Sequence, residues 1–225
     1  MIRLNLVVEG QTEETYVRDE LALHLAAGFQ VSAVASSIQT GRRRGTIFRG
    51  GLSSYAKLRN DVINWLNQDK EAWVTTMIDL YRLPSDFPER TSAAKTADPV
   101  RRVERLESAF AQDIDSRRFI PYIQLHEFEA LLFTDISRLR AFYLDSTREI
   151  EKLHIETADL PPETINDGEM TAPSKRIQKY VPAYQKVASG ATTARDIGLA
   201  TIRSKCPHFD QWITKLESLG VAPEN

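Results

Sequence analysis

Cysteine is nearly missing from this 225-residue chain. Cys206 stands alone, so no internal disulfide braces the fold and the composition fits a reducing compartment. Long apolar runs are missing too. Nothing approaches the length that crosses a bilayer, and the N-terminus enters a strand pattern without the basic and apolar regions of a secretory leader. The chain therefore reads as cytoplasmic, with no membrane partner. Charge of one sign is also lacking. The 29 Lys and Arg offset 31 Asp and Glu for a net charge of −2, which excludes a global basic field and confines any nucleic-acid surface to a local patch. Cys/His pairs at zinc spacing, a P-loop, a Gly-x-Ser-x-Gly elbow, a dinucleotide fingerprint and an internal repeat are all absent. At this length the chain can bury a substantial core without a metal or disulfide brace.

What is present begins with a strand, a turn and a helix. Leu4 to Val8 is an apolar run with the pattern of a strand buried on both faces, and Gly10 permits the tight turn expected after it. Thr12 is the expected N-cap, and Val17, Leu21 and Leu25 recur as an apolar helix face requires. Glu13 and Glu14 fall in the first helical turn, where complementing the macrodipole is role enough. Glu9 is different. It ends a strand, and in open α/β sheets the crevice beyond the carboxyl ends of the strands is where ligands bind.

The pattern then repeats. Gln30 to Ile38 is a second strand candidate, Tyr55, Leu58, Val62 and Trp65 mark a helix face, and Trp73 to Ile78 forms an interior strand ending at Asp79. Pro84 and Pro88 stop regular structure beyond it. Asp98-Pro99 supplies an N-cap and a first-turn proline for a helix with Val103, Leu106 and Phe110 buried. Phe119 to Leu125 is a fourth strand candidate, demoted by Pro121 to an edge or irregular strand, and it runs into His126-Glu127-Phe128-Glu129. Phe128, Leu131 and Leu132 give a short helix its apolar side. Glu127 and Glu129 are two apart and diverge, one toward the crevice and the other toward solvent. His126 is placed either to bind metal or relay a proton, or to make a structural hydrogen bond.

Glu9, Asp79 and either Glu127 or Glu129 thus come from three strand ends on one edge of an expected parallel sheet. Converging carboxylates repel one another unless a cation neutralises them. An all-oxygen set suits Mg²⁺ or Mn²⁺ better than zinc.

Basic residues cluster in two places. Gly41 to Gly51 carries Arg42, Arg43, Arg44 and Arg49 among glycines, with Phe48 available to stack or anchor; it reads as a mobile basic loop, either merely solvated or facing a phosphate-bearing partner. Pro173 starts a short helix bearing Lys175, Arg176 and Lys179, which faces phosphate or water. Residues 136–225 form a helical extension packed on an α/β domain at residues 1–135. Cys206 and His208 are too few for a metal site and read as packing and capping residues.

The string Val7-Val8-Glu9-Gly10-Gln11-Thr12-Glu13, followed by a strand ending in Asp79 and a further carboxylate-bearing strand end, resembles the Toprim fold of topoisomerases, primases and OLD-type nucleases. More closely, the chain resembles the bacterial family catalogued as domain of unknown function 4276. That likeness covers nearly the whole length, through Gly50-Gly51 with Tyr55, Asp79 to Pro88, Leu125 to Leu132, Pro173-Ser174-Lys175-Arg176, and Cys206-Pro207-His208-Phe209 with Trp212. It implies a Toprim/Rossmann-like sheet, mostly parallel and flanked by helices, with a metal-dependent phosphodiester site. There Glu9 handles protons or metal and the aspartates hold Mg²⁺. It also implies a place in prokaryotic mobile-element defence beside an ATPase partner. Toprim enzymes carry an Asp-x-Asp pair; here Tyr81 takes the second position, and Asp86 in the following loop is the expected substitute.

Three functions follow. The first is a Mg²⁺-dependent nuclease using Glu9, Asp79 and Glu127 or Glu129, with the basic residues steadying the phosphate backbone. The second is a regulatory subunit with a degenerate site, docking on an ATPase, and the third a nucleic-acid-binding module using the basic loop. The sequence leaves the number of copies open, a homo-oligomer included.

Overall fold

The computed structural model describes residues 1–43, 46–49, 52–165, 168 and 171–220. Four parallel pairings build the main sheet. β1 (Ile2–Val8) lies between β2 (Val31–Ser37) and β5 (Trp73–Asp79), and β5 carries both β6 (Phe119–Ile120) and β7 (Ile123–Gln124) on its other side. Helices pack on both faces, so the fold is α/β with a parallel sheet. The first crossover is a continuous helical run of α1 (Gln11–Tyr16), a π-helical turn at Val17–Leu21 and α2 (Ala22–Phe29). The second contains α3 (Tyr55–Gln68), the third α4 (Arg90–Ala93) and α5 (Pro99–Ile114).

Strand alternation divides the core. Leu4, Leu6, Val8 and Met77 point to one face and Val7, Val74 and Ile78 to the other, each set buried in its own cluster. The first cluster takes in α6 (Thr147–Thr157), α7 (Pro173–Tyr180), α8 (Ala191–Ile197), α9 (Leu199–Lys205) and α10 (Pro207–Ser218) through Leu153, Ile177, Ala194, Ile202 and Trp212. The helices after residue 135 therefore share one apolar core with β1. Gly198, at φ 88°, makes the turn between α8 and α9, a conformation that favours glycine.

The fourth strand is broken, and Pro121 is the cause. It lacks the N–H that a continuous ladder needs, so β6 ends at Ile120 and β7 resumes at Ile123. Side chains of β5 bridge the gap. The Thr75 hydroxyl donates to Ile120 O at 2.6 Å, and Thr76 Oγ1 donates to Tyr122 O and accepts from Tyr122 N, both at 2.9 Å. Trp212 Nε1 donates to Thr75 Oγ1 at 2.9 Å, tying α10 to the same strand. Each such bond contributes about 1 kcal/mol, and an orphaned buried hydroxyl would cost more.

Several expectations need correction. The N-cap of α1 is Gly10, not Thr12, which is buried inside the helix. Gly10 is extended at φ −156°, so the turn does not depend on glycine's freedom. The Gly41 to Gly51 segment is not a loop throughout: β3 (Gln39–Arg43) and β4 (Thr46–Arg49) pair antiparallel, matching Arg42 with Ile47 and Arg43 with Thr46. Thr46-Ile47-Phe48 has the β-branched and aromatic content of a strand, which outweighs the flanking glycines. The α3 face buries Leu66, while Trp65 is half-buried.

Candidate metal centre

β1 and β5 deliver their last residues side by side. Val8 lies opposite Met77, so Glu9 follows one strand just where Asp79 closes the other. Glu9 N donates to Met77 O at 3.2 Å, and Glu9 Oε2 accepts from Asp79 N at 3.1 Å. Asp79 shares the pleat face of Thr75 and Met77, the face covered by α1 and the C-terminal helices. Its Oδ1 accepts from Phe128 N at 3.0 Å, which fixes the chain beyond β7 against it.

That chain brings two more carboxylates. Glu127 is extended, and its Oε2 accepts from Ser174 N at 2.9 Å in the first turn of α7. Glu129 lies in a 3₁₀ helix at Phe128–Thr134, is fully buried, and accepts from the Tyr184 hydroxyl at 3.2 Å. Neither reaches out to solvent, so the expectation of one inward and one outward side chain is corrected. The tight 3₁₀ turn and the C-terminal helices enclose both. Glu13, expected only to complement the α1 dipole, is buried as well. Its Oε2 accepts from Gly10 N at 3.0 Å, closing the first turn of the helix over the strand end.

Lys186 is the cation among them. It begins a π-helical turn at Lys186–Gly190, and its Nζ lies 2.9 Å from Glu129 Oε2, 3.2 Å from Asp79 Oδ2 and 3.7 Å from Glu13 Oε1. The contact with Glu129 Oε2 is the shortest of the three and gives that buried oxygen its counter-charge. Three carboxylates surround this one ammonium, and Glu9 and Glu127 line the crevice with it. Burial, then repulsion from Asp79, pushes Glu9 up to about 8. Burial and Asp79 likewise push Glu13 up to about 7. Glu129 is raised to about 7 by burial and its acidic neighbours, with Lys186 opposing. Asp79 is raised by burial more than Lys186 lowers it. Burial alone would lower the Lys186 ammonium, yet Asp79, Glu129 and Glu13 around it raise it above the ordinary lysine value.

The crevice over these groups holds about 550 Å³ and is lined by Glu9, Glu13, Asp79, Glu127, Lys175 and Lys186, with Tyr81 and Tyr184 also on its walls. Its donor chemistry fits a hard divalent cation: carboxylate oxygens from Glu9, Glu13, Asp79 and Glu127, with no thiol and no imidazole. Among the described residues, no three His, Cys, Asp or Glu side chains already surround a point where an ion would sit. Mg²⁺ rarely has an all-protein cage. It is typically held by one or two carboxylates, with water and substrate phosphate completing its shell.

The other residues singled out from sequence fall elsewhere. Asp86 lies outside the crevice: its two oxygens accept from Tyr55 N at 3.1 and 3.2 Å, capping α3. Arg176 Nε turns back to Thr171 O at 2.9 Å. Arg42, Arg43 and Arg49 lie on the β3–β4 hairpin with their side chains outside the described part, and Arg44 lies outside the described residues. His126 Nε2 is 2.9 Å from Glu163 O, and burial lowers its pKa, so the ring is neutral near pH 7. His208 Nε2 is 3.0 Å from Glu107 Oε1 and its ring stacks on Tyr122, consistent with packing. Glu13, Tyr184 and Lys186 were missed. Glu13 carried a weak signal, one helical turn beyond Glu9. Lys186 carried none, since no apolar period runs through its π-helical turn.

Fold and crevice together define the class: an α/β protein with a buried acidic pocket at the carboxyl edge of a parallel sheet. Within it, this chain belongs to the family described as Domain of unknown function (DUF4276), whose model matches residues 8–217. Among solved structures it is similar to the C-terminal region of the Xanthomonas campestris pv. campestris OLD protein. The platinum-phased form gives a TM-score of 0.43 at 13% identity, covering 97% of each chain. The mercury-phased form gives 0.41 at 12%, covering 96% of this chain and 98% of that one. The comparison with curated proteins finds no match. Among the described residues no helix is long and apolar enough to cross a membrane.

Proposed function

We propose that this chain hydrolyses phosphodiester bonds of nucleic acid with Mg²⁺ or Mn²⁺ at the Glu9–Asp79 crevice. One observation carries the proposal. Four buried carboxylates, Glu9, Glu13, Asp79 and Glu127, line one crevice at the strand ends, and a fifth, Glu129, joins Glu13 and Asp79 around the single Lys186 ammonium, an arrangement whose ionised form favours a further cation. Asp79, Glu127 and Glu129 are the oxygen donors proposed for the metal, with Glu9 beside them. When bound, the metal would supply Lewis acidity and an activated water. Glu9, raised to about 8, is suited to hold a proton near neutral pH and exchange it at its carboxylate oxygen. Lys186 Nζ is suited to steady a phosphate oxygen, and Lys175 a flanking one, because both line the same crevice.

The resemblance of the family to components of prokaryotic mobile-element defence supports such a role beside an ATPase partner, and the single cysteine supports a cytoplasmic location. A second reading also has an observation behind it. Lys186 already neutralises part of the cluster and Tyr81 replaces a second aspartate, which favours a regulatory or docking subunit. Cleavage of DNA and RNA in Mg²⁺ or Mn²⁺, by wild type and Asp79→Asn, decides between them. Asp79→Asn is expected to abolish cleavage while circular dichroism stays unchanged. Metal-dependent cleavage that survives Asp79→Asn would sink the assignment, and a folded wild type inert with either metal and with an added ATPase would favour docking.

A further inference from the structure

A second cavity, of about 210 Å³, shares Tyr81 in its lining with the acidic crevice. Its character is opposite. Arg90 at the start of α4, Arg102 in α5 and His126 line it, Leu106 forms an apolar wall, and no carboxylate lines it. Arg90 Nε donates to Leu83 O at 2.8 Å, and Arg102 donates to Thr96 O through Nε at 3.0 Å and Nη2 at 2.8 Å. These bonds to main-chain carbonyls hold both guanidinium groups in place without neutralising them. Among the described residues neither arginine has an ion pair, although arginines in this chain commonly do, as Arg3, Arg59, Arg105 and Arg203 illustrate. Each guanidinium carries five N–H donors, so both keep donors to spare. His126 closes the wall with left-handed backbone, φ 64°. Its carbonyl accepts from Tyr81 N at 2.9 Å, joining the shared tyrosine to this wall.

We propose that this cavity is an oxyanion subsite in which Arg90 and Arg102 hold a phosphate of a nucleic-acid strand whose neighbouring phosphodiester lies in the acidic crevice. The choice of ligand rests on the nuclease reading of that crevice; the cavity's preference for an oxyanion rests on the two unneutralised arginines. Two fixed guanidinium groups match phosphate oxygens in planar fork geometry, as a lone lysine does not. A cationic cavity beside an acidic one also gives the strand a register, since a phosphate is drawn to the first and repelled by the metal-free second. A nucleic-acid segment and free phosphate present the same chemistry, so the test must separate them.

The test is metal-free binding of a fluorescent, single-stranded oligonucleotide, followed by anisotropy between about 50 and 200 mM salt. Wild type is compared with Arg90→Gln, Arg102→Gln and Ala94→Glu. Ala94 lines the cavity and is exposed, so a glutamate there adds negative charge while leaving both arginines bonded to their carbonyls. This variant keeps the test meaningful if loss of an arginine loosens the segment around residues 83–96. Each substitution is expected to weaken binding by about tenfold and to lower the salt slope by about one. Asp79→Asn is expected to bind at least as tightly as wild type. Unchanged strand affinity in folded Ala94→Glu overturns the proposal. So does thermal stabilisation by inorganic phosphate that Ala94→Glu removes while strand binding is untouched, which would assign the cavity to free phosphate. Metal is absent throughout, so failure here leaves the carboxylate reading to its own cleavage test, and failure there leaves this one to binding.

Discussion

Replacing Lys186 with methionine keeps the side chain's length and removes its charge, and the consequence is specific enough to measure. Three carboxylate oxygens lie 2.9, 3.2 and 3.7 Å from its Nζ. Removing one partner of a buried ion pair costs about 3–5 kcal/mol. The Lys186 side chain is 35% exposed, so solvent screens part of this and roughly 2 kcal/mol is the better figure. The loss must depend on pH. Glu13 and Glu129 are raised to about 7 and Glu9 to about 8 in the folded protein, above their ordinary value of 4.5. The folded state therefore binds more protons than the unfolded one across that interval, and stability falls as pH rises from about 4.5 to about 8. Without Lys186 these values climb further, so the variant loses stability faster still in the upper part of the range. Thermal melts without divalent metal should show a deficit of about 4–8 °C at pH 8, shrinking toward zero at pH 5 where the cluster holds its protons. An equal deficit at both pH values would refute the reasoning, because it would mean that Lys186 stabilises by packing and not by neutralising Asp79, Glu13 and Glu129.

Asp79→Asn, beyond its effect on cleavage, should lower the melting temperature in metal-free buffer. An amide oxygen still accepts from Phe128 N, but the amide NH₂ group then meets the Lys186 ammonium where Oδ2 accepted at 3.2 Å; an unchanged or higher melting temperature would contradict this. Asp86→Ala should cost about 1 kcal/mol in denaturant melts through the lost α3 cap, with metal binding unchanged. Gly190→Ala should cost about 1–3 kcal/mol in the same melts, because an added Cβ would sit 3.1 Å from the Tyr184 hydroxyl and 3.2 Å from Thr12 Cγ2. That strain would also disturb the Tyr184 bond to Glu129, and a neutral result would mean that the π-helical turn yields easily.

Strand ends were the legible part of the molecule. Leu4 to Val8 and Trp73 to Asp79 carry an apolar period short enough to be strands and end in a carboxylate each, so β1, β5 and the pairing of Glu9 with Asp79 could be read directly. The break at Pro121 was legible for the same local reason, a missing N–H. What could not be read was anything set by chain packing at long separation. Glu13 resembles any first-turn glutamate until α8 and the Lys186 turn close over it. Asp86 resembles a metal ligand by its place in the loop, but Tyr55 N, 31 residues away in sequence, takes both its oxygens. The arginine-rich segment misled because glycine and charge outnumber Thr46-Ile47-Phe48, while strand pairing needs only that short stretch and a partner.

The central claim is that the carboxylate cluster takes up a divalent cation, and Mn²⁺ or Mg²⁺ titration calorimetry on the folded wild type, Glu9→Gln and Asp79→Asn tests it most directly. Run at pH 7 in buffers of different ionisation enthalpy, it also counts protons. The account predicts saturable binding that releases protons, since Glu9, Glu13 and Glu129 titrate near neutrality, and that Asp79→Asn removes. A folded wild type that takes up neither metal, alone or with an oligonucleotide bound, would contradict it.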